Sequence, residues 1–156
     1  MIDAVNSAIS NHPCGYQYPN WNNKVPNYRI FNENKVDYFV KQREQALPYL
    51  SEILAKSMSE EQVTETLYIL NRMIDNGVRG VDKYYYVLSR FNNTDSPNIQ
   101  TFLAGIYRKT QIPDGFGPLI SMLIKNSLTH NPNVNFDPNE EIGGAILSYL
   151  SDRFRK

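Results

Sequence analysis

The chain has 156 residues, of which 41% are hydrophobic and 12% aromatic, enough for one folded domain with a real core and too apolar for a disordered chain. Sixteen basic and sixteen acidic side chains cancel, so no overall field draws the protein toward nucleic acid or anionic lipid. One cysteine, Cys14, rules out an intrachain disulfide, and no run reaches the roughly 18 apolar residues of a membrane span.

The first nine residues, Met1 to Ile9, lack the basic and long apolar regions of a signal peptide. A soluble protein of the reducing cytoplasm, without a membrane partner, is the expectation. Residues 1–35 read as a short helix (Ile2, Val5 and Ile9 on one side) followed by an irregular arm rich in proline and asparagine. The aromatics of the arm, Tyr16, Tyr18, Trp21, Tyr28 and Phe31, are expected to dock onto the first helices as core cover. A partner-binding arm is the other reading.

Residues 36–156 read as six helices of one globular unit. The first runs from about Val36 to Lys56, with Phe39, Leu47, Leu50, Ile53 and Leu54 as its apolar stripe. Pro48 should kink or split it after Gln45. Ser59 and Gln62 form a capping-box pattern opening the second, where Val63, Leu67, Leu70 and Ile74 recur at helical spacing. Asn76-Gly77 stops it. The third covers about Val81 to Phe91 after Gly80. The fourth starts at Asp95 or Ser96 with Pro97 at its first position, and carries Ile99, Leu103, Ile106 and Tyr107. The fifth spans about Phe116 to Thr129, with Leu119, Ile120, Leu123, Ile124 and Leu128 as its stripe. The sixth starts at Asp137-Pro138, turns Ile142, Ile146, Tyr149 and Leu150 inward, and ends on Arg153, Arg155 and Lys156. No alternating strand pattern of useful length occurs.

Three segments overlay on Val63, Ile99 and Ile142, and the second-helix starts at 59, 95 and 137 are spaced 36 and 42 residues apart. Ala46-Leu47-Pro48-Tyr49-Leu50-Ser51-Glu52-Ile53-Leu54 also matches Phe116-Gly117-Pro118-Leu119-Ile120-Ser121-Met122-Leu123-Ile124, with a proline ahead of an apolar stripe in each. The two intervals sit near the periods of about 34–47 residues of two-helix solenoid units, and over residues 36–155 the chain resembles the HEAT-repeat family. Where that family often has an arginine after the aligned apolar residue, this chain has Thr64, Gln100 and Gly143, and its middle unit has Tyr84-Tyr85-Tyr86 in place of the proline. The resemblance implies an all-α, short right-handed α-solenoid of about three helix pairs, whose second helices line a concave binding face.

Arg72, Arg108 and Ser151 lie nine residues beyond the aligned positions, and Tyr68, Ala104 and Leu147 lie five beyond. The two rows share a helix surface and are expected to form a ladder across adjacent second helices. Arginine and tyrosine concentrate at binding hot spots. At least one ring of Tyr84, Tyr85 and Tyr86 must reach the surface, since successive helical residues are about 100° apart. The candidate partner-binding residues are therefore Tyr68, Arg72, Tyr85, Gln100, Arg108 and Leu147, against the plainer reading of an ordinary solvated face.

Gly105, Gly143 and Gly144 sit inside predicted helices at a cost near 1 kcal/mol each against alanine, and close helix packing is the expected compensation. Cys14, His12 and His130 fall short of a zinc set or a nucleophilic dyad. Asp137, Glu140 and Glu141 suit the positive end of a helix. Asp114-Gly115-Phe116-Gly117 lacks the strand and lysine of a phosphate loop. No cofactor, metal or catalytic set is expected. The first reading is a non-catalytic protein–protein interaction module, as adaptor, regulatory subunit or inhibitor, with homo-oligomerisation open. The alternative is nucleic-acid binding through a local basic face of Arg72, Arg79, Lys83, Arg108 and Lys109. A small helical enzyme would need a buried polar cluster that the sequence does not single out.

Overall fold

The computed structural model describes residues 31–128 and 137–154. The expected helix over residues 1–10, the aromatics Tyr16, Tyr18, Trp21 and Tyr28, and Cys14, His12 and His130 lie outside them, as do the basic groups of Arg153, Arg155 and Lys156. All regular structure among the described residues is helical. In chain order come α1 (Glu33–Gln42), α2 (Leu47–Lys56), α3 (Glu60–Asp75), α4 (Tyr85–Leu88), α5 (Pro97–Thr110), α6 (Phe116–Leu128) and α7 (Asn139–Phe154). Short 3₁₀ turns occupy Arg43–Ala46, Val81–Tyr84, Ser89–Phe91 and Pro113–Gly115. No helix among the described residues is long and apolar enough to cross a membrane.

The starts and stops follow local chemistry. Ser59 accepts the Gln62 backbone N–H at 3.2 Å at the start of α3, and Ser96 accepts that of Ile99 at 3.3 Å ahead of Pro97 in α5. Asp137 Oδ1 accepts the Asn139 N–H at 2.8 Å at the start of α7. At the end of α3, Gly77 takes a φ of +86°. Its N–H donates to Ile74 O and the Val78 N–H to Met73 O, each at 3.0 Å. These are the two paired bonds of a Schellman stop, in which glycine avoids the steric penalty of the left-handed region.

The split in the long first helix comes earlier than Pro48 suggests. The chain breaks at Arg43, a non-glycine residue with a φ of +56°. Its guanidinium donates to Asn76 O and Gly77 O at 3.2 Å each, holding this corner against the C-terminal turn of α3. Pro48 then falls in the first turn of α2, where its missing N–H leaves no bond unmade. The first helix also begins at Glu33, ahead of the expected Val36. Over Val81 to Phe91 only one short α turn forms, flanked by 3₁₀ turns.

The interior is one apolar cluster fed by every helix. Phe39, Leu50, Leu54, Leu67, Leu103, Ile106, Tyr107 and Leu119 are fully buried in it. Truncating such a side chain to alanine typically costs 2–5 kcal/mol. The fifth predicted stripe needs correction at its C-terminal half. Met122 is buried, whereas Ile124 and Leu128 are exposed, Leu128 at 80%.

α5 packs along α3 on one side and along α7 on the other, and these are the two most extensive helix pairings. Polar side chains tie both junctions. Ser96 Oγ donates to Glu60 at 2.8 Å and Lys109 pairs with Asp75 at 2.9 Å across α3 and α5. Arg108 pairs with Glu141 at 3.0 Å, and Gln111 donates to Ser148 at 2.9 Å toward α7. The partners are 34 and 36 residues apart at the first junction and 33 and 37 at the second. The overlay of Ile99 on Ile142 requires about 43 at the second. α7 has therefore slid by at least six residues relative to that overlay, roughly 9 Å along its axis.

The helical glycines divide. A Cβ at Gly105 would lie 2.7 Å from Asn71 Oδ1 and 3.5 Å from Glu141 Oε1, so this glycine permits the close approach of three helices. Gly143 and Gly144 have no such neighbour within 4 Å, and close packing does not account for them. Replacing Gly105 with alanine should lower the melting temperature despite its better helix propensity, because buried Asn71 cannot retreat freely. Gly144→Ala should raise stability by about 0.5–1 kcal/mol. Paired thermal melts followed by circular dichroism check both signs.

Candidate functional site

α3 is enclosed along most of its length, and Tyr68 and Arg72, one turn apart, stand on its partly open side. The start of α1 meets them there. The Tyr68 hydroxyl donates to Glu33 Oε1 at 2.6 Å, and Arg72 Nη1 donates to Glu33 Oε2 at 2.7 Å. Arg72 Nη1 also donates to the Tyr68 hydroxyl at 3.1 Å, and Arg72 Nη2 lies 3.7 Å from Asp37. Above this polar trio the Phe31 ring stacks on the Tyr68 ring, with centroids 4.0 Å apart and planes within 9°. Phe102 of α5 closes the group edge-on, 6.0 Å from Phe31 and 5.7 Å from Tyr68.

Burial raises the Tyr68 phenol above its ordinary range, and the hydrogen bond to Glu33 pushes the same way. The ion pairs are half open to solvent, so each contributes about 0–1 kcal/mol. Burying the Phe31 ring contributes more, about 1.5–3 kcal/mol on an area scale. Phe31 thus docks onto α3 and α5, where the sequence suggested the first helices.

The remaining candidates scatter. Arg108 is held by Glu141 of α7 and lies one junction away from Arg72. Ala104 is fully buried, and the slide of α7 carries Leu147 and Ser151 out of the expected rows. Leu147 itself is 64% exposed. Gln100 needs correction as a surface residue. It is 1% exposed, and its amide bonds Thr94 O at 2.9 Å and the Asn126 amide at 2.9 and 3.2 Å, tying α5 to α6. Its amide partners Thr94 and Asn126 turn this long polar side chain inward.

Tyr85 belongs to a tyrosine network at the other end of α5. Its hydroxyl donates to Asp114 O at 3.0 Å and accepts from Asn92 Nδ2 at 3.3 Å, while Tyr107 donates to Asn92 Oδ1 at 2.6 Å. Tyr149 donates to Ile112 O. Gly115 lies against both rings, since a Cβ there would sit 2.8 Å from Tyr107 Cγ and 2.8 Å from the Tyr149 hydroxyl. Of the three consecutive tyrosines, Tyr86 is the one at the surface, 69% exposed.

No group of three or more His, Cys, Asp or Glu among the described residues is arranged to hold a metal ion. No family model, curated protein or solved structure matches the chain, so its reading rests on its own residues. Sequence reasoning passed over Glu33, Asp37 and Asn71. For the first two a signal was present. Asn32 precedes a run with Val36, Phe39 and Val40 at helical spacing, which marks a helix start three residues before the expected one.

Burial holds the Tyr107 phenol well above the ordinary value and pushes Tyr149 from 10.0 up to about 12. The unfolded chain releases these protons near pH 10, and the folded chain keeps that of Tyr149 until about pH 12. Their contribution to stability is full below pH 10 and declines as pH rises through this window. Melting temperatures measured from pH 9 upward should fall steeply beyond about pH 10. Tyr149→Phe should flatten that fall.

Proposed function

We propose that the chain is a non-catalytic protein–protein interaction module, an adaptor, regulatory subunit or inhibitor of the cytoplasm. It docks its partner on the layer formed by α3, α5 and α7. The observation that carries this reading is the side-by-side packing of those three helices, with Tyr68 and Arg72 on the partly open side of α3, Arg108 on α5 and the exposed Leu147 on α7. Arginine and tyrosine combine contact area with directional hydrogen bonds, and an exposed leucine adds apolar area at low cost. A HEAT-like solenoid of helix pairs fits the same packing, with α2 and α3, and α6 and α7, as pairs. The similar sequence separation of the partners at the two junctions supports it.

Charge favours a protein partner over nucleic acid. Arg72, Arg108 and Lys109, three of the five residues of the supposed basic face, each hold a carboxylate of a neighbouring helix. A face neutralised in this way releases few counterions from a phosphate backbone.

A photo-crosslinking residue in place of Leu147, introduced in the native host, should give one predominant adduct identifiable by mass spectrometry. The same residue in place of Met58, which is 90% exposed between α2 and α3, should not. Equal labelling at the two positions, or no adduct at Leu147, would remove this face as the docking surface.

A further inference from the structure

We propose that the surface made by Tyr68, Arg72 and Phe102 is a receptor site for a peptide carrying an aromatic ring two residues before a carboxylate, and that Phe31 and Glu33 occupy it in cis. The inference deepens the reading of this layer as a docking surface and rests on it.

The two ligand groups are recognised by separate means. The ring is taken by stacking on Tyr68 at 4.0 Å and by the Phe102 edge at 6.0 Å. The carboxylate is taken with one oxygen on the Tyr68 hydroxyl at 2.6 Å and the other on Arg72 Nη1 at 2.7 Å. The Arg72–Tyr68 bond at 3.1 Å fixes the two donors relative to each other. Both receptor groups sit on one rigid helix, so the site is pre-organised. A lone charge or a lone ring would meet only half of it.

The occupant is separable from the fold beneath it. Phe31 precedes α1, and Glu33 is that helix's first residue. α1 has its own anchors one turn on, where Val36 and Phe39 are buried in the core. Releasing Phe31 and Glu33 therefore leaves α1 seated. The polar half of the contact is half exposed, and such pairs exchange readily for equivalent ones. Because the occupant is tethered beside its site, a peptide in solution meets a high effective concentration of competitor and binds the intact chain weakly.

The test uses the full chain and a labelled synthetic peptide covering residues 28–37 of its own sequence, followed by fluorescence anisotropy. Phe31→Ala with Glu33→Ala empties the site, and this variant should bind the peptide at least tenfold more tightly than the unaltered chain. Adding Arg72→Ala should abolish the gain, and so should a peptide with alanine for its phenylalanine and glutamine for its one glutamate. If the double substitution unfolds the chain by circular dichroism, Glu33→Gln alone carries the test, with a smaller gain of the same sign. A folded variant that ignores the peptide, or binds the altered peptide equally well, overturns the inference. That failure leaves the crosslink at Leu147 untouched, so the ligand class and the docking layer are judged separately.

Discussion

Asn71 and Gly105 meet where α3 crosses α5, and the layer is organised around that meeting. The Asn71 amide donates to Leu67 O at 2.9 Å within its own helix and to Phe102 O at 3.0 Å in the next. Its oxygen occupies the space a Cβ at position 105 would fill. A buried amide with its donors satisfied fixes geometry more sharply than apolar contact alone, since any displacement strands a polar group. Glu141 reaches the same point from α7. The relative height of α3 and α5 is thus set at one small contact, and the long apolar surfaces on either side supply the bulk of the stability.

What could be read in the chain beforehand divides along a physical line. Helix starts and stops depend on neighbours in sequence, and Ser59, Ser96-Pro97 and Asn76-Gly77 each did locally what their chemistry dictates. Apolar spacing likewise placed Leu67, Leu103 and Ile142 in the interior. Lateral register is another matter. Overlaying Ile99 on Ile142 compares positions within helices, whereas the height of α7 against α5 is decided by Arg108–Glu141, Gln111–Ser148 and Tyr149 on Ile112, partners far apart in the chain. Gln100 was hidden for a related reason, since its amide partners Thr94 and Asn126 lie outside its own helix.

The same distinction governs the candidate site. Tyr68 and Arg72 were visible as a one-turn pair on α3. Their carboxylate partners were not, because Glu33 and Asp37 lie 35 or more residues earlier, Glu33 ahead of the first repeat and Asp37 at its very start. A face drawn from repeats alone looks open. The start of α1 closes part of it, and the surface left over is smaller and more selective than a bare row of second helices.

α4 contains only a single α-helical turn between two 3₁₀ segments. Such a piece has too little cooperativity to persist by itself in water. Its shape is imposed from outside, by Tyr85 on Asp114 and by Arg90 donating to Leu54 O in α2. α4 is therefore shaped by contacts with both the preceding and the following part of the chain. Severing the backbone near Asn93 would part α4 from Asp114 and remove one of the two contacts that hold its form.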